Sequence, residues 1–259
     1  YGDSALNPGG ALIDMTGLDR FIDLSPQTRT VRAEAGLSLD VLIRVLLGKN
    51  LFVPVTPGTR FVTLGGAVAN DVHGKNHHRN GTIGRWVRKL GLLRSDGAEL
   101  ELTPEDPTGL FAATIGGLGL TGIITWVELE VIPVESAYID SEKIPFGNLG
   151  EFFALAEESE RDFEYTVAWV DCQTGGAALG RGLFSRGRHG TGGPGKPVRS
   201  NVAFTMPVNL PGIAMNRTTL RAFNEVYYRN GRRTAGRARE SLYPFFYPLD
   251  SIGRWNRMY

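Results

Sequence analysis

The chain has 259 residues, 42% of them hydrophobic and 21% charged, with a formal net charge of +1. That supplies enough apolar material for one large or two smaller packed domains, and the near-zero charge excludes both a strongly basic nucleic-acid binder and an acidic disordered tail. A lone cysteine, Cys172, excludes an internal disulfide and a cysteine-built metal site, and no apolar run reaches the length of a membrane span.

Along the chain, ALIDM (11–15) predicts a short strand and FIDL (21–24) a second. In VRAEAGLS, Val31, Ala33 and Ala35 alternate with Arg32 and Glu34, the period of a half-buried strand. Ser38 can cap the next segment, with Asp40 near the positive end of a helix whose Leu39, Leu42, Ile43 and Leu46 share one face; Gly48 is its stop. LFVPV predicts another strand and Pro57-Gly58 a tight turn. VRKLGLLRSDGAELELT reads as a hairpin turning at Asp96-Gly97, with Leu100 and Leu102 alternating with Glu99 and Glu101. A short helix around Leu110 to Ala113 precedes the strand IITWVELEVIPV, in which Val127, Leu129 and Val131 share a face. The character changes near Pro133. LGEFFALAEESERD then predicts an amphipathic helix, FEYTVAWVDC a strand, and residues 186–200 a Gly- and Pro-rich loop. The chain opens on Tyr1 in a turn-rich YGDS and stops at WNRMY, and it reads as a piece of a longer protein.

Among the motifs, GLGLTG (117–122) matches GxGxxG, but a strand follows it and a short helix precedes it, the reverse of the dinucleotide-binding βαβ context. A glycine turn touching a ligand by other geometry and a plain turn both remain open. Gly74-Lys75 lacks the glycine and the Ser/Thr of a phosphate loop, since Ala69 and Asn76 stand there. His73, His77 and His78 sit among Gly74 and Asn76 in a poor helix with only Asp71 nearby. Surface or pocket-lining histidines fit this better than a metal set. Arg186, Arg188, His189, Lys196 and Arg199 make the 186–200 loop basic, suited to solvent or to an anionic surface. In VTLGGAVANDVHGKNHH, Gly65-Gly66 allows backbone N–H groups to approach an anion, with Pro57-Gly58-Thr59 as a second wall.

The order YGDS, AEAGLSLDVLIRVLLGKNLFVPVTPGT, TLGGAVANDVHGKNHH and TIGGLGLTGII resembles the FAD-binding domain of the vanillyl-alcohol-oxidase (PCMH-type) flavoprotein family. Within it, HGKNHH, YTVAWVD and YPLDSIGRWNRMY are similar to members that oxidise a polyprenyl-phosphoryl pentose; sugar-1,4-lactone oxidases are the nearest sister group. The resemblance implies an α+β fold, with a two-subdomain PCMH-type FAD-binding domain over residues 1–133 and part of an α+β substrate (cap) domain over 134–259. It places FAD, bound without a covalent link, against Tyr1, Gly2, Asp3, Ser4, Gly58, Thr63, Leu64, Gly65, Gly66, Asn70, Asp71, Val72, His73, Gly119, Gly122 and Ile124. Substrate falls to Tyr1, His73, Lys75 and Trp169, while the lysine that the family uses near the flavin lies beyond Tyr259. The implied enzyme is an FAD-dependent oxidoreductase turning a sugar hydroxyl into a keto group. Its expected partner is an NAD(P)H-dependent reductase, and its expected place is the cytoplasm or a membrane surface, with the periplasm also open. An aldonolactone or polyol oxidase using oxygen or a quinone, or a non-catalytic flavin-binding fragment, is the alternative.

Overall fold

In the computed structural model, which describes residues 8–192, 202–212 and 215–258, the chain divides into two units, Tyr1–Val134 and Glu135–Tyr259. The first contains β1 (Phe21–Ser25), β2 (Thr30–Glu34), α1 (Leu39–Leu47), β3 (Leu51–Phe52), α2 (Leu64–Ala69), α3 (His77–Asn80), β4 (Val87–Leu93), β5 (Glu99–Leu102), α4 (Leu110–Thr114), β6 (Ile123–Glu130) and β7 (Ile132–Pro133). The second contains β8 (Tyr138–Phe146), α5 (Leu149–Ser159), β9 (Tyr165–Val170), β10 (Gly182–His189), β11 (Phe204–Thr205), α6 (Arg217–Arg233), β12 (Gly236–Ser241), α7 (Leu242–Phe246) and β13 (Ile252–Gly253).

The first unit is built on a five-stranded sheet in the order β1-β2-β6-β4-β5, every neighbouring pair antiparallel. Alternation decides its core: Val31 and Ala33 of β2 and Val127 and Leu129 of β6 are fully buried. Helix α1 starts where the Ser38 hydroxyl accepts from the Val41 amide, and Leu39, Leu42, Ile43 and Leu46 are buried as their helical spacing requires. Each such leucine contributes roughly 1.5–3 kcal/mol by leaving water. In β4, Gly91 faces Trp126 across the ladder, and a Cβ there would lie 2.3 Å from the indole Nε1. The Asp96-Gly97 hairpin forms with Gly97 at φ 84°, and Asp96 accepts from the Ala98 amide.

Two expectations fail here, and one strand is only half in the core. ALIDM is not a strand; Leu12 and Ile13 are exposed, and the segment finds no ladder partner among the described residues. LFVPV contributes only the two-residue β3, paired with β7, because Pro54 cannot donate to a ladder. Leu100 lies at the outer edge of β5 and is partly exposed, so Leu102 alone of the pair joins the core.

The second unit carries the antiparallel sheet β12-β8-β10-β9. Helix α5 begins at Asn148, whose side chain accepts from the Glu151 amide, and α6 begins with a capping box between Asn216 and Thr219. Helix α5 is less amphipathic than its pattern suggests, since Phe153 is largely exposed while Phe152 packs on Phe146 and Phe184. The expected basic loop is corrected as well: Arg186, Arg188 and His189 belong to β10. Arg186 is buried under Phe163 and paired with Glu142 at 2.7 Å and Glu158 at 2.8 Å. Only Lys196 and Arg199 stand in the rest of that segment, outside the described residues. Burial and two carboxylates thus account for Arg186.

Candidate functional site

The glycine-rich stretch of the first unit folds around α2. Its start is capped by Thr63, whose hydroxyl accepts from the Gly66 amide at 3.2 Å. The Leu64 amide donates to the Leu37 carbonyl at 2.8 Å and the Gly65 amide to the Ala35 carbonyl at 2.7 Å. The cradle of N–H groups expected at Gly65-Gly66 is therefore already spent within the protein. The reason is geometric: α2 lies so close to the end of β2 that a Cβ on Gly65 would sit 2.7 Å from the Ala35 Cβ. Gly65 is a packing glycine.

The glycines of the expected site divide into two kinds. A Cβ on Gly58 or Gly119 would meet no described atom within 4 Å, and one on Gly66 would meet only the Thr63 hydroxyl, at 2.9 Å. Gly58 and Gly119 leave bare backbone facing open space, and at Gly66 a single hydroxyl stands in the way, so the residues fit FAD by close approach rather than by a ready donor ring. Gly122, at φ 148°, would bring a Cβ 2.6 Å from the Leu93 carbonyl and is held by its neighbours instead. Leu64 is fully buried, and Val72 and Ile124 are nearly so, which makes their side chains core rather than lining. Tyr1, Gly2, Asp3 and Ser4 lie outside the described residues.

The structure joins segments that are distant in sequence. The Gly116 amide donates to the Val68 carbonyl at 3.0 Å and the Leu118 amide to the Ala69 carbonyl at 2.9 Å, docking the second glycine turn on the end of α2. Asn70 closes α2 with its side-chain amide on the Gly66 carbonyl. Asp71, at φ 43°, accepts from the Gly84 amide at 2.9 Å, and a Cβ on Gly84 or Gly116 would press on its side chain. Gly84 and Gly116 are thus part of this junction, and sequence reasoning missed both. Glycine at each position was visible, but what requires it was not: at Gly84 the Ile115 and Asp71 side chains, from other segments, would lie 2.3 and 2.8 Å from a Cβ, and at Gly116 the backbone turns at φ 69°.

Beyond Asp71 the chain turns past His73, which pairs with Thr82 in an isolated bridge and meets His77 edge-on at 5.3 Å. His73, His77 and His78 are exposed, so the HGK segment is not buried as a whole. His73 precedes α3 and His77 opens it, so the two never share a helical face. Gly74 runs tight against the irregular 54–56 segment, where a Cβ would lie 2.6 Å from the Thr56 carbonyl. Asn76, 1% exposed, donates to the Pro54 carbonyl at 2.8 Å. These two anchors fix Lys75 between them. Burial lowers the Lys75 ammonium from 10.5 to about 8, a poised cation suited to an anionic group or a sugar hydroxyl. Asn76 was also missed, because nothing in GKN announces a buried amide.

Trp169 stands in β9 of the second unit, half-buried, with its ring 4.7 Å from that of Tyr227 on α6. Among the described residues no group of histidine, cysteine and carboxylate side chains is placed to hold a metal, and no helix is long and apolar enough to cross a membrane.

Residues 1–103 match the family described as FAD binding domain. The whole chain is 40% identical, over 269 aligned positions, to decaprenylphosphoryl-beta-D-ribose oxidase of Mycolicibacterium smegmatis, covering 58% of that protein. It is 28% identical over 126 positions to alditol oxidase of a Streptomyces species, which takes in 49% of this chain and 30% of that protein. To D-arabinono-1,4-lactone oxidase of Yarrowia lipolytica it is 24% identical over 142 positions, 53% of this chain and 27% of that protein. The chain spans 58% or less of the length of each of these relatives.

Proposed function

We propose that this chain, whose first 103 residues belong to the PCMH-type FAD-binding family, is part of an oxidoreductase that oxidises a hydroxyl of a polyprenyl-phosphoryl pentose to a keto group. Residues 1–133 then form the FAD-binding domain, and 134–259 part of the substrate or cap domain. The observation that carries this reading is Lys75, a partly buried and destabilised ammonium pinned by Gly74 and Asn76 in the unit that also holds Gly58, Gly66 and Gly119. The likeness to a decaprenylphosphoryl-ribose oxidase along the full chain supports the substrate class.

When bound, FAD supplies the two-electron acceptor for the alcohol carbon. The protein's own part is binding and orientation. Gly58, Gly66 and Gly119 would hold the cofactor against bare backbone, and the Asp71 junction with Gly84 and Gly116 holds the two glycine segments in register. Lys75 holds the phosphate or a sugar hydroxyl, His73 lines the same segment, and Trp169 offers an apolar ring face. Attachment of FAD is non-covalent in this reading, and denaturation should release free flavin. A separate NAD(P)H-dependent reductase would consume the keto-sugar.

A lipid-linked substrate also suits a surface that meets anionic headgroups. Helix α6 fits this better than the 186–200 segment: Arg217, Arg221, Arg229, Arg232 and Arg233 stand against the single Glu225, beside exposed Phe223 and Val226. The location favoured is the cytoplasmic or membrane-peripheral one, with the periplasm also open.

The test is the visible spectrum of the full-length protein under anaerobic conditions, before and after adding a polyprenyl-phosphoryl pentose. Bleaching of the flavin band supports the proposal. A band that stays yellow with the pentose and bleaches with an alditol or an aldonolactone moves the enzyme to the polyol and lactone oxidases, which the likeness to alditol oxidase favours as the second reading. A flavin-loaded protein that no such alcohol bleaches leaves a non-catalytic flavin binder.

A further inference from the structure

In the second unit, Asp171 follows β9 directly and is 1% exposed. Its carboxylate gathers donors from three segments. Oδ1 accepts from the Gln173 amide at 3.0 Å and from Asn224 Nδ2 at 2.7 Å. Oδ2 accepts from the Thr174 hydroxyl at 2.6 Å and from Arg181 Nε and Nη2 at 3.1 and 3.0 Å. Arg181 continues to Glu225 at 2.7 Å, so the hub ties the β9–β10 turn to α6 twice. Burial alone would raise this carboxyl, but the hydrogen bonds outweigh it and hold it at about 2.

A buried ionic hub stabilises a fold no better than apolar packing does, whereas it permits only one geometry. What it fixes here is a ring pair. Trp169 lies just before Asp171 on β9, and Tyr227 lies one helical turn after Asn224 on α6; their centroids are 4.7 Å apart. One turn further, Gly231 brings α6 onto β10, where a Cβ would lie 2.1 Å from Leu183, the residue paired with Trp169 across the ladder. Between these anchors Tyr228 donates to the Phe146 carbonyl at 3.2 Å. Tyr227 is thus bracketed by two fixed points on the same helical face, yet it remains 45% exposed, next to Phe223, with which it stacks.

We infer that Asp171, acting through Asn224 and Arg181, is a positioning residue that sets Tyr227 against Trp169, so that the two rings form one rigid aromatic wall for the apolar face of a sugar. The inference rests on the reading of Trp169 as a substrate contact. Asn224→Ala removes the direct one of the two ties between the helix and the hub and leaves Asp171 its other donors; Tyr227→Leu removes the second ring without touching the hub.

The experiment uses the full-length, FAD-loaded protein. Acrylamide quenching of Trp169 is taken as the difference between each protein and the same protein carrying Trp169→Phe, and KM and kcat are measured with a polyprenyl-phosphoryl pentose. Both variants are expected to raise Trp169 quenching. KM should rise about fivefold, the factor that about 1 kcal/mol of ring contact makes, with kcat held. Unchanged Trp169 quenching in both variants overturns the inference. Raised quenching with KM unmoved in both, and unmoved also by Trp169→Phe, upholds the positioning and removes Trp169 from the substrate site.

Discussion

Gly65 and Gly66 are neighbours at the start of α2, yet an added side chain should cost the protein different things at the two positions. Gly65→Ala places a methyl 2.7 Å from the Ala35 Cβ and 3.2 Å from the Ala35 carbonyl, both on the rigid end of β2. Neither neighbour is the flexible end of a side chain, so the helix start must move, and with it the 2.7 Å bond from the Gly65 amide to the Ala35 carbonyl. Overpacking of this kind costs about 1–3 kcal/mol. For a chain of this size each kcal/mol shifts Tm by about 2–4 °C. Gly66→Ala meets only the Thr63 hydroxyl, which can rotate away at the expense of one cap, about 1 kcal/mol or less. Its larger side-chain variant, Gly66→Val, fills the open space before the backbone. The assay pairs thermal unfolding of the flavin-free protein with flavin absorbance per mole of protein after gel filtration. Gly65→Ala should lower Tm clearly. Gly66→Val should lose flavin while its flavin-free Tm stays closer to that of the parent. A Gly66→Val protein that retains its full flavin refutes the reasoning that assigns Gly66 to the cofactor, and a Gly65→Ala protein with unchanged Tm refutes the packing argument.

Lys75→Met removes a cation that the fold tolerates poorly: the drop from 10.5 to about 8 corresponds to roughly 3 kcal/mol against the charged form, less where solvent reaches it. Stability of the parent should rise with pH between about 8 and 10.5, where the unfolded chain still binds the proton, and the variant should lack that rise in Tm. The same variant should weaken substrate binding more than FAD binding; equal loss of both would move Lys75 to the cofactor. His189 is held from its ordinary 6.5 down to about 4 by burial, with Nδ1 donating to the Ser136 carbonyl and Nε2 facing the Tyr165 hydroxyl at 3.1 Å. Its contribution is present above pH 6.5 and is lost as pH falls through about 4. Acid titration of Tm should therefore show the gap between the parent and His189→Phe narrowing from pH 6.5 to 4; a gap that stays constant would show that the ring charges as readily in the folded protein as in the unfolded chain, against the burial argument.

Much of the scaffold could be read without coordinates because it rests on local rules. The Ser38 cap, the buried face of α1, the Asp96-Gly97 hairpin and the core face of β6 each follow from neighbours along the chain, and each forms as its pattern demands. The resemblance could be read for a different reason: an order of glycine-rich segments is itself sequence information, and residues 1–103 match the family described as FAD binding domain. Where pattern failed, tertiary partners were decisive. ALIDM is apolar and strand-like but pairs with no strand among the described residues, and Arg186 looks like a loop cation until Glu142 and Glu158 close on it.

The glycines show the division most clearly. Sequence by itself determined that backbone would be bare at Gly58, Gly65, Gly66, Gly119 and Gly122. It could not say which of them face a ligand and which face the protein, because a missing Cβ looks the same in both cases. Only the folded chain, by bringing Ala35 to Gly65, Leu93 to Gly122 and no described atom within 4 Å of a Cβ at Gly58 or Gly119, separated packing glycines from glycines whose backbone stays open. Likewise Lys75 is an ordinary lysine in the sequence; the Thr56 carbonyl behind Gly74 and the Pro54 carbonyl on Asn76 hold it where burial makes its charge costly, and that cost depends on contacts more distant along the chain than any local rule reaches.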